Sequence, residues 1–268
     1  MPLHFRSLNE LDRTYAHIYL SPHLDDAALS CGGAISRFAG DGQAVLVVNI
    51  GSGSPPAGAS FSRFAAEQHA KWKLSPNEAM ARRLREDIEA LEILGADSLQ
   101  LDLLDAIYRM PDAYHTESTL FGSLAADDPL PADLHAVLLA LIERCPEAIV
   151  YAPLGVGNHV DHQVVTAAAA QLATSGTSIV YYEDFPYAAK PGALDRRLAD
   201  LGGRQGFLPI ITAIGATIER KISAIAAYAS QMQVLFGGVD AMPGAVRAYG
   251  ESLQPEGGVY GERIWMRR

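Results

Sequence analysis

Short apolar runs alternate along the chain with longer segments in which apolar residues recur at helical spacing. Continuous aliphatic runs bounded by turn residues predict buried strands, whereas a spacing of three or four residues predicts helices that pack through one face. The predicted strands cover residues 17–20, 44–50, 98–103, 148–154 and 178–182. The predicted helices cover residues 26–35, 77–94, 132–144, 161–173 and 215–230. This alternation predicts an α/β fold, with a Rossmann-like, mostly parallel sheet flanked by helices on both faces.

The clearest predicted helix follows the longest predicted loop. Apolar residues from Met80 to Leu94 recur at helical spacing, and Gly95 supplies a natural stop. The segment from Gly51 to about Pro76 begins with turn residues and shows little periodicity, which predicts a loop. Because long loops in compact domains are often functional, we expect this one to cover a site.

The length and charge of the chain limit its class of function. We predict a single domain over residues 1–268, with a small C-terminal elaboration from about residue 232, because α/β domains commonly reach roughly 250 residues. The 21 basic and 31 acidic residues give a formal charge of −10, which disfavours nucleic acid and anionic membranes as partners. No apolar run approaches the roughly 20 residues of a membrane span, and no secretory signal opens the chain. We therefore predict a cytoplasmic protein.

Two clusters of metal-ligating residue types directly follow predicted strands. His23, Asp25 and Asp26 follow the first strand, and the sequence His-Val-Asp-His at residues 159–162 follows the fourth. In an open parallel sheet, ligand sites form at the carboxyl ends of the strands, near the point where the strand order reverses. A spacing of three residues within each cluster can turn two side chains toward one cavity. We therefore expect the two clusters to meet.

Zinc suits these side chains. A catalytic zinc ion typically has three protein ligands and a water molecule in tetrahedral geometry, and His23, Asp26 and His162 fit that number. Asp25 then remains as a base toward the water, and His159 remains to assist the oxyanion or the leaving group. Other divalent metals also accept histidine and aspartate ligands, so the identity of the metal stays open.

Plainer roles compete with a metal site. An aspartate between a strand and a helix is a common N-cap, which would suffice for Asp25 or Asp26 taken alone. A lone histidine such as His159 is more often a surface residue or a hydrogen-bonded core residue than a ligand. Two clusters at the ends of two strands favour the metal site, in which Asp161 would orient a histidine ring through a hydrogen bond.

These residues resemble the signatures of the PIG-L family, also called LmbE-like proteins, which are zinc-dependent deacetylases of N-acetylglucosamine conjugates. The family's opening His-Pro-Asp-Asp-Glu sequence is similar to residues 23–27, where Leu24 and Ala27 stand in place of the proline and the glutamate. Its later His-x-Asp-His signature is unaltered at residues 159–162. The resemblance extends from about residue 15 to residue 232, and Ala27 bears on substrate preference more than on catalysis.

The resemblance implies the same roles for the two clusters. Carried over residue by residue, the family pattern implies zinc at His23, Asp26 and His162. It also implies that Asp25 is the general base and that His159 stabilises the oxyanion or acts as an acid.

Further residues match the family pattern between the two metal signatures. Arg83 and Asp105 stand where the family tends to place sugar-contacting or site-framing groups. An ion pair of Arg83 with Glu86 and a turn role for Asp105 are the alternatives. Residues 182–187 follow another predicted strand, so their polar side chains could line the pocket.

The residues and the resemblance together predict a metal-dependent hydrolase. Its substrate would be a glucosamine-containing small molecule or glycoconjugate that carries an N-acetyl or another N-acyl group. One alternative is a noncatalytic metal- or sugar-binding protein of the same fold. Another is a metallophosphoesterase, which would need more ligands than the sequence offers. A homo-oligomer is also open, since soluble enzymes commonly form symmetric assemblies.

Overall fold

The computed structural model describes residues 1–56, 58–59, 61–72 and 75–268, and at residues 68–72 it describes the backbone alone. Its strands are β1 (His4–Phe5), β2 (His17–Ser21), β3 (Val45–Asn49), β4 (Asp97–Gln100), β5 (Ile149–Pro153), β6 (Ser178–Tyr182), β7 (Phe207–Ala213) and β8 (Gly261–Arg267). Its helices are α1 (Asp26–Gly40), α2 (Arg63–Trp72), α3 (Pro76–Leu94), α4 (Ala106–Arg109), α5 (Glu117–Leu120), α6 (Leu130–Arg144), α7 (Val160–Thr174), α8 (Ala193–Asp200), α9 (Ile218–Ala227), α10 (Met232–Phe236) and α11 (Met242–Ser252). Within these residues, no helix combines the length and the apolar character that crossing a bilayer would require.

The strands form one eight-stranded sheet in the order β1-β4-β3-β2-β5-β6-β8-β7. From β2 the chain adds β3 and β4 on one side, and it later adds β5 and β6 on the other side. β2 pairs in parallel with both β3 and β5, so Tyr19 lies between Val47 and Tyr151. The carboxyl ends of β2 and β5 therefore flank a topological switch point, where parallel sheets form ligand crevices.

Apolar side chains pack on both faces of the sheet, because successive residues of a strand point in opposite directions. In β2, Ile18 and Leu20 belong to one core, which includes residues of α6 and α7. Tyr19 belongs to the other core, which includes residues of α1, α3 and α9. The predicted α/β class, with a mostly parallel sheet between two layers of helices, is therefore confirmed.

Local sequence explains where α3 begins and ends. The Ser75 hydroxyl accepts the Glu78 N–H, the Glu78 side chain accepts the Ser75 N–H, and Pro76 occupies the first turn. Gly95 ends the helix at a φ of 82°, a left-handed conformation that glycine adopts at no steric cost. The helix predicted over residues 77–94 is confirmed at both ends.

Two predictions of local structure are wrong. Residues 51–76, predicted as a loop, contain α2, in which Ala65 is fully buried. Most residues of α2 are polar or small, so its apolar period is too weak to see in the sequence. The strand predicted over residues 98–103 ends at Gln100, because Asp102 has a φ of 54°, which interrupts an extended chain.

α2 packs in a third apolar cluster with segments that follow β4. The buried members of this cluster are Ala65, Ala106, Ile107, Tyr114, Leu120 and Val160. Val160 is the first residue of α7 and follows His159, so the cluster lies beside the carboxyl edge of the sheet. The segment expected to cover a site is thus a helix packed next to that edge.

Candidate metal centre and active site

The turn after β2 brings a histidine and an aspartate to one point. The Ser21 hydroxyl donates to the His23 carbonyl over 2.6 Å and accepts the Ala27 N–H over 3.0 Å, which closes the turn into α1. The His23 N–H donates to Asp26 Oδ2 over 2.9 Å. Asp26 is the first residue of α1, where the partial positive charge of the helix N-terminus favours a carboxylate.

The side chains of His23, Asp26 and His162 present their ligating atoms to one another. Asp26 Oδ2 lies 3.2 Å from His23 Nδ1 and 3.2 Å from His162 Nε2. In a tetrahedral zinc site with bonds of roughly 2.0–2.2 Å, neighbouring ligand atoms lie roughly 3.3–3.6 Å apart. The three side chains therefore form a group that could hold a divalent metal ion with little movement.

A second group, formed by His23, His159 and Asp161, suits a metal less well. Both oxygens of Asp161 already accept hydrogen bonds, one from Arg109 and the other from the Ala106 N–H. His159 Nδ1 already accepts the Asp161 N–H. A metal in this position would leave buried donors without acceptors, at a cost of about 1–3 kcal/mol each. The first group is therefore the candidate metal centre.

Each histidine of the candidate centre contacts a carboxylate through its other ring nitrogen. His23 Nε2 lies 3.1 Å from Asp161 Oδ2, and His162 Nδ1 lies 2.6 Å from Asp184 Oδ1. A carboxylate acceptor holds the imidazole proton on the nitrogen that faces it, so the opposite nitrogen is left to bind a metal. His23 Nδ1 and His162 Nε2, the two atoms that face Asp26, are the nitrogens left in this way.

The two outer carboxylates are anchored by different kinds of donor. Asp161 Oδ1 accepts from the Arg109 guanidinium over 2.8 Å. Asp184 Oδ2 accepts the backbone N–H groups of Gly155 and Val156, each over 2.8 Å. These N–H groups belong to the loop between β5 and α7, so the loop that leads to His162 also fixes its orienting carboxylate.

The sequence assigns no role to Arg109 and suggests only pocket lining for Asp184. Asp184 lies within residues 182–187, which the sequence suggested as pocket lining, but the structure places it behind His162. Its position directly after a strand at the site edge was a usable signal. Arg109 is the last residue of the short helix α4, and no motif marks it.

Negative charge is concentrated in this buried volume. Although burial disfavours an imidazolium, Asp26 and Asp184 raise the pKa of His162 to about 10. Against the effect of its own burial, the pKa of Asp26 is held well below its usual range by His162 and His23. The centre therefore favours a positive charge, which either a proton or a metal cation supplies.

Asp25, Arg83 and Asp105 lie at the same centre. Asp25 is 6% exposed, and burial raises the pKa of its carboxyl, an effect that Arg83 opposes. Arg83 Nη2 lies 3.7 Å from Asp25 Oδ1, and Asp105 Oδ2 lies 3.8 Å from His23 Nε2. Asp105 thus lies beside the candidate ligand His23, and Arg83 adjoins the centre through Asp25.

The plainer roles considered for Arg83 and Asp105 differ from what is observed. Glu86 pairs with Arg82 over 2.9 Å rather than with Arg83. Asp105 directly precedes α4, but its side chain makes no capping hydrogen bond. The two side chains are 13% and 12% exposed, so each is buried against the centre yet reachable from it.

His159 is the N-cap residue of α7. Its Nδ1 accepts the Asp161 N–H over 3.2 Å, so the neutral ring carries its proton on Nε2. Burial and the nearby His23 lower the pKa of His159 to about 3, which keeps the ring neutral at physiological pH. The rings of His23 and Phe121 meet it edge-on, with centroids 4.7 Å and 5.2 Å away. His159 can therefore offer an N–H donor to a group in the site.

Comparison with known proteins points to one family. The profile of the family described as PIG-L, GlcNAc-PI de-N-acetylase, matches residues 18–173, more than half of the chain. A 2'-N-acetylparomamine deacetylase from Niallia circulans is 29% identical over 238 residues, which cover 83% of this chain and 82% of that protein.

Two solved structures share the fold over nearly the whole chain. The zinc-inhibited form of teicoplanin deacetylase matches with a TM-score of 0.77 and 28% identity, covering 94% of this chain and 98% of that one. A deacetylase of an antimicrobial pseudoaglycone matches with a TM-score of 0.70 and 29% identity, covering 95% of this chain and 97% of that one. The chain therefore belongs to the PIG-L family and is an N-deacetylase.

Proposed function

We propose that this protein removes the acetyl group from an amino nitrogen of an amino-sugar conjugate, with zinc held by His23, Asp26 and His162. The observation that carries the proposal is the buried carboxyl of Asp25 beside this ligand group but outside it. A purely structural metal would not need an unliganded carboxylate next to it. The named relatives act on acetylated paromamine, on teicoplanin and on an antimicrobial pseudoaglycone, which supports a conjugated substrate rather than a free sugar.

The side chains divide the chemistry among them. When bound, the divalent metal would polarise the acyl carbonyl and acidify the attacking water. The water oxygen forms a bond to the acyl carbon while Asp25 takes a proton from that water, a role that its raised pKa strengthens. The His159 Nε2–H donates to the oxyanion of the tetrahedral adduct. Asp25 then gives its proton to the amine nitrogen as the C–N bond breaks, leaving acetic acid and a free amine. The acid then loses its proton to the amine or to water.

Arg83 and Asp105 complete the proposed site. The Arg83 guanidinium favours the ionised form of Asp25, the form that can accept a proton. Asp105 carries carboxylate oxygens next to the centre, where they can accept hydrogen bonds from sugar hydroxyl groups. We propose that Arg83 frames the base and that Asp105 contacts the sugar.

Release of free amine from a panel of N-acetylglucosamine conjugates tests the proposal. The panel is run with zinc-loaded protein, with chelator-treated protein and with the Asp25→Asn variant. Because the variant keeps the metal ligands and loses the base, we expect it to bind zinc normally and to release amine roughly 100- to 10,000-fold more slowly. The Asp41→Asn variant, an exposed change at the other end of α1, serves as the matched control. Undiminished release by Asp25→Asn would remove Asp25 from the mechanism.

The panel also separates the two alternative functions. A noncatalytic sugar-binding protein would retain the conjugates without releasing amine from any of them, even with zinc bound. A two-metal phosphoesterase needs a second set of ligands, and the two candidate metal groups among the described residues share His23. Phosphate release from a generic phosphomonoester would nevertheless revive that alternative.

Four expectations from the sequence stay predictions. The chain as one domain is supported by a single sheet with strands from His4 to Arg267, and a domain-spanning unfolding transition would test it. The cytoplasmic location and a homo-oligomeric state are to be checked by fractionation and by light scattering. Zinc as the native metal is to be checked by metal analysis of the purified protein, since iron, manganese and cobalt accept the same ligands.

A further inference from the structure

A cavity lies beside α7, and none of the candidate metal ligands lines it. It has a volume of about 240 Å³ and is walled by α7, α8 and the last strands of the sheet. Ala167 and Ala170 of α7 form one wall, and Leu201 and Phe207 add further apolar surface. The volume lies below the roughly 300–1,000 Å³ of pockets for drug-sized ligands, so an occupant would be small.

Two arginines line this otherwise largely apolar cavity. Among the described residues, neither Arg197 nor Arg267 forms an ion pair with a carboxylate: Arg197 contacts a backbone carbonyl and Arg267 an aromatic ring. Arg197 donates through Nε to the Leu154 carbonyl over 2.8 Å, and burial lowers the pKa of its guanidinium, an effect that Asp184 and Asp200 oppose. Partial burial removes water from the guanidinium, and no carboxylate in the part of the chain that the structure describes contacts it. An incoming carboxylate can accept hydrogen bonds from the guanidinium in place of the lost water.

Arg267, the last residue of β8, supplies the second cation. Its guanidinium carbon lies 5.7 Å from the centroid of the Phe207 ring, and it is close enough to Tyr181 to oppose the rise that burial causes in the pKa of that phenol. Phe207 and Tyr181 both line the cavity. The positive charge therefore adjoins aromatic and aliphatic surface, which together suit a molecule with one anionic end and one apolar end.

We infer that this cavity is a second ligand site, which binds a small carboxylate with an apolar body through Arg197 and Arg267. The site is linked to the metal centre by direct contacts. Arg197 holds the Leu154 carbonyl, and the next N–H along the chain, that of Gly155, donates to Asp184, which contacts His162. A ligand in the cavity stabilises the folded protein because it binds the folded state alone.

Calorimetric titration of the full chain with hexanoate tests this site. Hexan-1-ol provides the apolar body without the charge, and inorganic phosphate provides charge without the apolar body. We expect saturable binding of one hexanoate per chain, with both controls at least roughly tenfold weaker, because each loses one of the two interactions. Metal-loaded and chelator-treated protein are titrated in parallel, and equal affinity in both places the hexanoate away from the metal.

Variants locate the binding within the molecule. Arg267→Gln removes an exposed cation and is expected to weaken hexanoate binding roughly tenfold. Arg268→Gln, its exposed neighbour, changes the net charge equally and is expected to leave the affinity unchanged. Ala170→Leu fills the cavity without changing charge and should also weaken binding. The inference is overturned if hexanoate does not bind saturably, if its binding is lost with the metal, or if neither cavity variant weakens it.

Discussion

The two histidines of the metal centre are held in opposite ways, although each contacts a carboxylate. Behind His23, Asp161 is anchored by the Arg109 guanidinium. Behind His162, Asp184 is anchored by the backbone N–H groups of a loop. Asp161 is thus held by a charged side chain together with one backbone N–H, that of Ala106, whereas Asp184 is held by backbone N–H groups.

This difference determines which substitutions can disturb the support of each histidine. Arg109 also binds both oxygens of Asp128, over 2.7 Å and 2.8 Å, so the support of His23 is a buried network of charges. Such a network fails when one member is removed, because the remaining charges are left uncompensated. Among the described residues, only backbone N–H groups anchor Asp184, so the support of His162 is disturbed through the loop backbone or through Asp184 itself.

The largest expected effect is the loss of stability in an Arg109→Gln variant. The side chains of Asp128 and Asp161 are 0% and 4% exposed, so the change leaves two buried carboxylates without their common cation. We expect the free energy of unfolding to fall by about 3–5 kcal/mol. Urea unfolding of the metal-free protein measures this loss without a contribution from metal binding.

A surface pair provides the control for this loss. Arg204 contacts Asp195 over 2.8 Å, and both side chains are more than half exposed. We expect Arg204→Gln to change the free energy of unfolding by less than about 1 kcal/mol. Equal losses in the two variants would contradict a special role for the buried network.

The second-largest expected effect is a loss of zinc affinity, which should be greater in Asp184→Asn than in Asp161→Asn. In Asp184→Asn, the amide oxygen stays with the two backbone donors, so the amide NH2 faces His162 Nδ1. The imidazole proton then moves to Nε2, the nitrogen that faces the metal centre. In Asp161→Asn, an oxygen in the Oδ2 position still accepts from His23, and the unfavourable contact falls on Arg109.

We therefore expect zinc affinity to fall roughly 100-fold in Asp184→Asn and roughly 10-fold in Asp161→Asn, the two ends of the range for orienting partners of metal ligands. Competition with a chromophoric chelator measures both values. The exposed change Asp195→Asn controls for the loss of one negative charge. The reverse order of the two variants would contradict the tautomer argument.

The sequence predicts the ligands more completely than their supports. His23, Asp26 and His162 can be proposed because they stand in short motifs at the ends of predicted strands. Asp184 and Arg109 act on residues distant in sequence. The position of Asp184 after β6 marks it as pocket lining but does not pair it with His162, and a single arginine in α4 carries no local pattern. Strands β8 and β7 are not predicted for a related reason. β8 pairs antiparallel with β6 and with β7. The apolar run of β7 contains Pro209, which argues against a strand, and β8 mixes charged with apolar residues, so neither shows the plain pattern of a buried strand.

A smaller effect is expected when the backbone support of His162 is disturbed by Gly155→Ala. Gly155 has a φ of 83°, and a Cβ added there would lie 2.7 Å from Arg197 Nη2. Gly176 has a φ of 90° with no atom within 4 Å of such a Cβ. We expect both alanine variants to lose about 1–2 kcal/mol of stability from the left-handed backbone. Only Gly155→Ala should also lose zinc affinity, and equal affinities in the two variants would argue against a loop that supports His162.

The smallest expected effect concerns His159, whose ring is held through a nitrogen that accepts a backbone N–H rather than through a carboxylate. The tautomer of His159 is therefore fixed by a backbone N–H: because Nδ1 accepts it, the proton lies on Nε2. In this respect His159 differs from His23 and His162, whose tautomers are fixed by carboxylates. With a pKa lowered to about 3 by burial and by His23, the ring should stay neutral from pH 5 to pH 8. Nitrogen-15 spectra of the zinc-loaded protein, assigned with a His159→Gln variant, should show one unchanged Nε2–H tautomer across that range. A shift toward imidazolium near pH 6.5 would instead give His159 a proton to donate and would move it from oxyanion stabilisation to general acid catalysis.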